Sequence, residues 1–164
     1  MITSIHRRLA FAVLIGGVLL FVACTSWDDP NLTFPENYAD SYHKLHKCQY
    51  GAHPAGEYII TWINDAGKAT WDKHTKSFDK ATYPWPVGTV FLKAQYEDNN
   101  CETISRYTVM YKDVTGTAAD TGNWRWQHVG PSGKLNEDGQ LQGCISCHAP
   151  YKECDYVATG CKKK

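Results

Sequence analysis

The chain has 164 residues, with 17 basic and 17 acidic side chains and a formal net charge of zero at neutral pH. This length fits one domain, and the even charge leaves no basic patch of the size that nucleic acid binding requires. Six tryptophans and ten tyrosines are many for such a chain. Such side chains fill β-rich cores or enclose a large, flat, apolar cofactor.

The N-terminal segment has the features of an export signal. Residues 6–8 (His-Arg-Arg) are a basic start, and an apolar run with glycines extends from Leu9 to Ala23. This run is shorter than the about 20 residues that span a bilayer, and it matches the apolar core of a secretory signal peptide. We therefore predict a signal peptide over residues 1–23, a polar tether over residues 24–32 and one domain over residues 33–164.

Cys24 directly follows the apolar run. A small residue and then a cysteine at the cleavage point indicate lipoprotein processing, in which Cys24 becomes the lipidated N-terminus. The alternative is ordinary signal cleavage, which leaves Cys24 in a free tail. Under both interpretations we expect a periplasmic or otherwise extracytoplasmic protein, attached to a membrane through lipid alone if it is attached.

A helix is predicted at the start of the domain. Residues 33–36 (Thr-Phe-Pro-Glu) are typical of a helix start, and we expect this helix to continue to about Lys47. His43 and His46 would then share one face of the helix. They are a candidate for a second metal site, although exposed polar side chains are the simpler interpretation.

Runs rich in β-branched and aromatic residues predict strands in the middle of the chain. Asn64 or Asp65 is expected to cap a short helix that ends at about His74. The predicted strands cover residues 58–63, 89–96, 104–112 and 124–129, and residues 131–139 are predicted to be a turn-rich connection.

Alternation along these strands assigns side chains to faces. Phe91 and Lys93 lie on one face of their strand. Trp124, Trp126 and His128 lie on one face of the last predicted strand. A buried aromatic row in a β core explains the two tryptophans more simply than packing against the edge of a cofactor.

Residues 144–148 read Cys-Ile-Ser-Cys-His. Each cysteine can add across a vinyl group of one haem, and the adjacent histidine can then bind the iron, so C-x-x-C-H is the attachment signature of a c-type haem. A zinc site needs further ligands at regular spacing, and a thioredoxin-like pair needs a strand–helix unit; neither is visible. We therefore predict one haem c attached to Cys144 and Cys147, with His148 as the proximal iron ligand.

The cysteines outside this motif predict disulfides. With Cys24 and the motif set aside, an even number remains in a chain destined for an oxidising compartment. More than one pairing is open, and one of them would close a small C-terminal loop. The remaining residues are Cys48, Cys101, Cys154 and Cys161.

The position of the motif restricts the type of cytochrome. Small electron-transfer cytochromes c carry the motif near the N-terminus and a methionine ligand downstream, but here no methionine follows the motif. Cytochromes c′ place the motif last but are four-helix bundles, and this chain has strand-like segments instead of long amphipathic helices. The sequence therefore predicts a mainly β haem protein.

Six short segments occur in a recognisable order along the chain: 34–38 (Phe-Pro-Glu-Asn-Tyr), 88–93 (Gly-Thr-Val-Phe-Leu-Lys), 111–113 (Tyr-Lys-Asp), 122–124 (Gly-Asn-Trp), 144–148 and 155–157 (Asp-Tyr-Val). In this order they resemble the cytochrome P-460 family, which includes the cytochromes c′-beta. The resemblance covers about residues 33–158. It implies an α+β, mainly β fold: a curved antiparallel sheet with a few short helices packed around one c-type haem, in a domain that usually forms a homodimer.

The resemblance implies two functions. Cytochromes P-460 proper oxidise hydroxylamine, have a lysine cross-linked to the haem, and would pass electrons to a soluble acceptor cytochrome; Lys93 occupies that lysine's position. Cytochromes c′-beta lack the cross-link and bind nitric oxide or carbon monoxide at a site crowded by apolar rings. We expect hydroxylamine oxidation, with nitric oxide binding without turnover as the alternative. Simple electron transfer, with Met110, His128 or a histidine of the early helix as a sixth ligand, is least compatible with the resemblance.

Two departures from the family pattern bear on the enzyme hypothesis. The hydroxylamine-oxidising members carry a distal carboxylate that accepts protons, and the matching position here is Thr108. They also have an arginine in the strand that matches residues 58–63, and this strand has none. Thr108 is therefore expected to face the ligand, with Phe91 or Phe34 closing the distal pocket.

Overall fold

A computed structural model describes residues 26–51, 56–77, 84–114, 116–159 and 161. The predicted signal peptide and Cys24 lie outside this part of the chain. No helix among the described residues is long and apolar enough to cross a membrane.

The described residues contain one antiparallel sheet of seven strands, in the order β1-β3-β4-β5-β6-β7, with β2 paired to the other end of β3. The strands are β1 (His43–Lys44), β2 (Gln49–Tyr50), β3 (Tyr58–Ile63), β4 (Val90–Tyr96), β5 (Ile104–Lys112), β6 (Trp124–Val129) and β7 (Leu135–Gly139). The helices are α1 (Tyr38–Ser41), α2 (Asp65–Ser77) and α3 (Gln142–His148). The prediction of a mainly β fold with a few short helices is confirmed.

Both faces of the sheet are covered, so the central strand β4 is buried on both sides. On one face, which we call the N-terminal face, Leu92 and Tyr107 pack against the segment before α1. On the other, which we call the motif face, Phe91 and Trp126 pack against Cys144 and the rest of the C-terminal segment. Alternation along the strands separates these two clusters because successive side chains point to opposite faces.

Part of the segment predicted to be a polar tether over residues 24–32 packs against the core, where Trp27 and Leu32 are partly buried. Trp27 stacks edge-on against Phe34 and Tyr107, with ring centroids 5.7 Å from each. The side-chain amide of Gln127 donates to the carbonyl of Asn31 over 2.6 Å. Burial of aromatic rings outweighs the polar composition of this segment.

The first predicted helix is much shorter than expected. It ends at Ser41, Tyr42 adopts an extended conformation, and His43 and Lys44 pair with β3. The open edge of β3 offers backbone hydrogen bonds that compete with continued helix, so tertiary pairing overrides the helix-start signal.

The two early histidines consequently do not share a helix face. His43 Nε2 lies 2.6 Å from Asp65 Oδ1, and His46 Nε2 lies 3.0 Å from Thr61 Oγ1. No group of three or more metal-binding side chains occurs within the described ranges. The second metal site was predicted from a helix that carries both histidines, and the prediction of that helix is wrong.

Residues 135–139 form the edge strand β7, whereas the sequence predicts a connection there. Leu-Asn-Glu-Asp-Gly has little intrinsic strand preference. Pairing with β6, in which His128 opposes Glu137, supplies the order that the local sequence lacks.

Two disulfides join the cysteines outside the motif. Cys48 pairs with Cys101 across 53 residues, and Cys154 pairs with Cys161 across 7 residues. The first ties the segment after β1 to the β4–β5 turn. The second closes the small C-terminal loop that was one of the open pairings.

We predict that the long disulfide stabilises the fold more than the short one. The chain-entropy relation gives about 4 kcal/mol for the 53-residue separation and about 2 kcal/mol for the 7-residue separation. Urea unfolding of Cys48→Ala/Cys101→Ala and of Cys154→Ala/Cys161→Ala, each against wild type, measures both losses. Equal losses, or a larger loss for the short loop, would contradict this prediction.

Candidate haem site

The Cys-x-x-Cys-His motif lies on α3, on the motif face of the sheet. Residues three and four apart in a helix lie on one side, so Cys144, Cys147 and His148 project together. Both cysteines are free thiols, whereas the other described cysteines are in disulfides. Cys144 and Ile145 pack against the buried cluster of this face and hold the helix there.

His148 is prepared to act as a ligand through one nitrogen. Its Nδ1 lies 2.7 Å from the carbonyl oxygen of Tyr156, so Nδ1–H donates there and Nε2 keeps its lone pair. Burial lowers the pKa of the imidazole, with a smaller contribution from the positive charge of Lys93. The hydrogen bond to Tyr156 acts in the opposite direction. A neutral, oriented imidazole is the form that binds iron.

A row of polar side chains crosses the motif face, and we call it the polar row. Its members oppose one another in register on five neighbouring strands, so their side chains share one face. Lys93 stands between Thr61 and Thr108, and His128 stands between Thr108 and Glu137.

Lys93 is the half-buried basic residue of the polar row. Burial lowers the pKa of its amine, and electrostatic interaction with the thiols of Cys147 and Cys144 partly offsets that shift. Lys93 is therefore partly withdrawn from solvent on the face that carries the motif cysteines. A lowered pKa increases the fraction of neutral, nucleophilic amine.

Thr108, His128 and Glu137 complete the row beside the motif. His128 Nε2 lies 3.7 Å from Cys144 Sγ, and His128 Nδ1 lies 2.5 Å from Glu137 Oε2. Burial raises the pKa of the Cys144 thiol to about 11, and the charge of Glu137 adds to this shift. The structure thus places a histidine–carboxylate pair next to a motif cysteine and directly opposite Thr108.

Aromatic side chains form the apolar part of the same face. The ring centroid of Phe91 lies 5.0 Å from that of Trp85, 6.0 Å from that of Trp71 and 6.1 Å from that of Trp124. Phe91 therefore lies on the face that carries the motif, as the distal-pocket prediction requires.

Phe34 does not lie there, which corrects the other half of that prediction. It packs on the N-terminal face, with its ring centroid 5.3 Å from that of Tyr107. The sheet separates it from Lys93 and the motif. The N-terminal segment crosses the opposite face, so no arrangement of this sheet brings Phe34 to the motif.

These residues fit a haem. Two free thiols, an imidazole with an available Nε2 and a half-buried amine lie on the face that carries the apolar, aromatic cluster. Trp126 is further evidence that a ligand binds at this face. Its ring centroid lies 6.0 Å from that of His148. Its Nε1–H is buried without a hydrogen-bond partner among the described residues. A buried donor without a partner is costly, and a ligand with acceptor oxygens would satisfy it.

The fold and this set of side chains define a haem-binding cytochrome. The chain belongs to the Cytochrome P460 family, whose model matches residues 35–159. No match to a curated protein was found. Membership of the family confirms the resemblance drawn from the sequence segments and implies that the protein binds haem.

Several residues around the site were not recognised from the sequence. His128 could be assigned to the face of Trp126 by alternation, but its contact with Cys144 depends on how α3 packs. Glu137 was not recognised because its segment was predicted to be a connection and not a strand. Lys112 and Asp155 belong to family segments, yet nothing in their spacing indicates that they form an ion pair.

The raised pKa of Cys144 predicts a delayed thiol titration in haem-free protein. In a Cys147→Ser variant, alkylation of Cys144 by iodoacetamide should keep rising up to about pH 11, because only the thiolate reacts. Mass spectrometry of the quenched samples measures the rate. The same variant in urea is the control and should titrate near the ordinary thiol range. A folded-state profile that matches the urea profile would contradict the burial of Cys144.

Proposed function

We propose that the protein is an exported cytochrome that oxidises hydroxylamine. The haem would be held by thioethers to Cys144 and Cys147 and ligated by His148. The observation that carries this proposal is the position of Lys93: it lies between Thr61 and Thr108 on the motif face, and its amine interacts electrostatically with the two motif thiols. Bound haem would supply an iron centre that coordinates the nitrogen of hydroxylamine and accepts its electrons.

Lys93 supports the lysine-modified form of the site. A neutral amine is the nucleophilic form, and burial increases its share by lowering the pKa. Lys93 would hold the macrocycle by a further covalent bond. Replacing an N–H and a C–H bond by a C–N bond removes electrons, so this modification also needs an external oxidant such as a peroxide.

The polar row supports a route for protons. Hydroxylamine releases protons as it is oxidised, and the position expected to carry a carboxylate is Thr108. His128 lies directly opposite Thr108, and Glu137 orients its ring. A histidine held by a carboxylate is an effective general base. We propose that His128 accepts the protons, either directly or through the Thr108 hydroxyl, and that the electrons leave to a soluble acceptor cytochrome.

A second function is favoured by the rings around Phe91. The three tryptophan contacts of that side chain make part of the motif face crowded and apolar. Such surroundings suit a small diatomic ligand. If Lys93 is not bonded to the haem, we propose that the protein binds nitric oxide or carbon monoxide without turnover.

The proposal also includes the cellular location and the oligomeric state of the protein. An export signal and two disulfides are consistent with a periplasmic or extracytoplasmic location. Lipidation of Cys24 would anchor the protein to a bacterial membrane, and we expect the domain to form a homodimer.

The visible spectrum separates the two functions. After reduction with dithionite, the wild-type protein should show a strongly red-shifted Soret band, because a bond from Lys93 alters the macrocycle. Lys93→Leu should show an ordinary c-type spectrum. Lys134→Leu, which replaces an exposed lysine outside the polar row, should match wild type. An ordinary spectrum in the wild-type protein would reject the cross-link and leave nitric oxide binding as the function.

Kinetics test the proton acceptor. His128→Ala should lower kcat/KM for hydroxylamine by about 10²-fold, the scale of general base catalysis, and Glu137→Gln should lower it less. Asp138→Asn is the matched control, because Asp138 pairs with Arg125 and not with His128. Covalent haem content and nitric oxide affinity are measured in each variant to exclude loss of the cofactor. Full turnover in His128→Ala would reject its role.

A further inference from the structure

A buried ion pair joins β5 to the segment that follows the motif, and it has no part in the proposed chemistry. Lys112 Nζ lies 2.6 Å from Asp155 Oδ2, and the two side chains are only 5% and 10% exposed. Burying two charges is expensive, and an apolar pair of similar size often stabilises a fold better. The pair therefore calls for an explanation other than stability.

The contacts of Asp155 show what the pair holds in place. The backbone N–H of Trp85 also donates to Asp155 Oδ2, over 2.8 Å. The indole Nε1–H of Trp124 donates to the Asp155 carbonyl over 2.7 Å, and the Lys112 ammonium lies 4.9 Å from the centre of the Trp124 ring. Gly122 approaches so closely that a Cβ there would lie 2.6 Å from Asp155 Oδ1. Asp155 is thus fixed from several sides.

The backbone that follows is in an unusual conformation. Asp155 and Tyr156 both have positive φ, 50° and 67°. Two successive L-residues rarely adopt the left-handed region unless their surroundings impose it. The Tyr156 hydroxyl donates to the Asp120 carbonyl over 2.7 Å and holds the turn at its other end.

This turn presents the Tyr156 carbonyl to the motif histidine. That oxygen is the acceptor for His148 Nδ1–H at 2.7 Å. Hydrogen bonding at Nδ1 makes an imidazole a stronger donor to its metal, and such partners orient the ring as well. A chain of contacts therefore leads from the ion pair through the turn to the ligand.

We propose that the Lys112–Asp155 pair is a positioning device: it fixes the left-handed turn that aims the Tyr156 carbonyl at His148, and so sets the donor strength of the proximal histidine. This inference rests on the proposed ligation of the haem iron by His148. It does not depend on whether hydroxylamine is the substrate. Lys112 and Asp155 are positioning residues that would act through the Tyr156 carbonyl and His148.

The test compares variants of the holoprotein by resonance Raman spectroscopy and by redox titration. Asp155→Asn keeps a side chain that tolerates the left-handed region but removes the charge, and Lys112→Met removes the other partner. A weakened hydrogen bond to His148 should lower the iron–histidine stretching frequency of the reduced protein and raise its midpoint potential. Lys112→Arg should return both values toward wild type.

A second ion pair, more exposed than Lys112–Asp155, serves as the control. The Arg106 Nη2 and Glu57 Oε2 atoms lie 2.9 Å apart. This pair is not part of the motif segment. Glu57→Gln should leave the frequency and the potential unchanged. If Asp155→Asn and Lys112→Met lower the melting temperature but leave both values as in wild type, the pair is only a structural anchor and the inference fails.

Two further measurements keep the test decisive. Should Lys112→Met fail to fold, Tyr156→Phe loosens the same turn by removing only the bond to the Asp120 carbonyl, and a shift in the same directions is expected. An unchanged stretching band in Tyr156→Phe and in Asp155→Asn would overturn the inference. A wild-type protein without an iron–histidine band, indistinguishable from His148→Ala, would instead overturn the ligation by His148.

Discussion

The register of the central strands is the constraint on which the site depends. Lys93, Thr108 and His128 oppose one another on β4, β5 and β6, and only this pairing puts all three on the face that carries the motif. A slip of one residue in β4 would turn Lys93 toward the N-terminal face and bring Leu92 to the motif. Large apolar clusters on both faces make such a slip costly.

The two ends of the chain then divide the sheet between them. The segment around Trp27 and Phe34 seals the N-terminal face with aromatic rings, whereas the C-terminal segment brings the motif to the other face. The motif gains its geometry from contacts distant in sequence. Tyr156 orients His148, and β6 supplies the histidine beside Cys144. The motif residues are adjacent in sequence, but the groups that contact them are not.

Local patterns were sufficient for the four central strands and for the motif. Alternation and β-branched residues predicted β3 to β6 within one or two residues, and alternation alone placed Lys93 with Phe91. The C-x-x-C-H pattern predicted the cofactor because its chemistry is carried by five adjacent residues. The balanced charge argued against nucleic acid binding, and the family segments predicted the class of protein.

Local sequence patterns could not predict the features that depend on tertiary contacts. The helix expected to reach Lys47 stops at Ser41 because the edge of β3 pairs with His43 and Lys44. Glu137 becomes a strand residue only through β6. Phe34 belonged to the right family segment, but sequence order cannot tell which face of a sheet a preceding segment will cover.

Peptide mapping of the purified protein tests the central claim most directly, namely that one haem would be bonded both to the motif cysteines and to Lys93. After proteolysis, mass spectrometry should find the haem joined to the peptide with Cys144 and Cys147 and also to the peptide with Lys93. Haem on the motif peptide alone would contradict the lysine-modified site. Absence of haem from the motif peptide would contradict the account of the site as a whole.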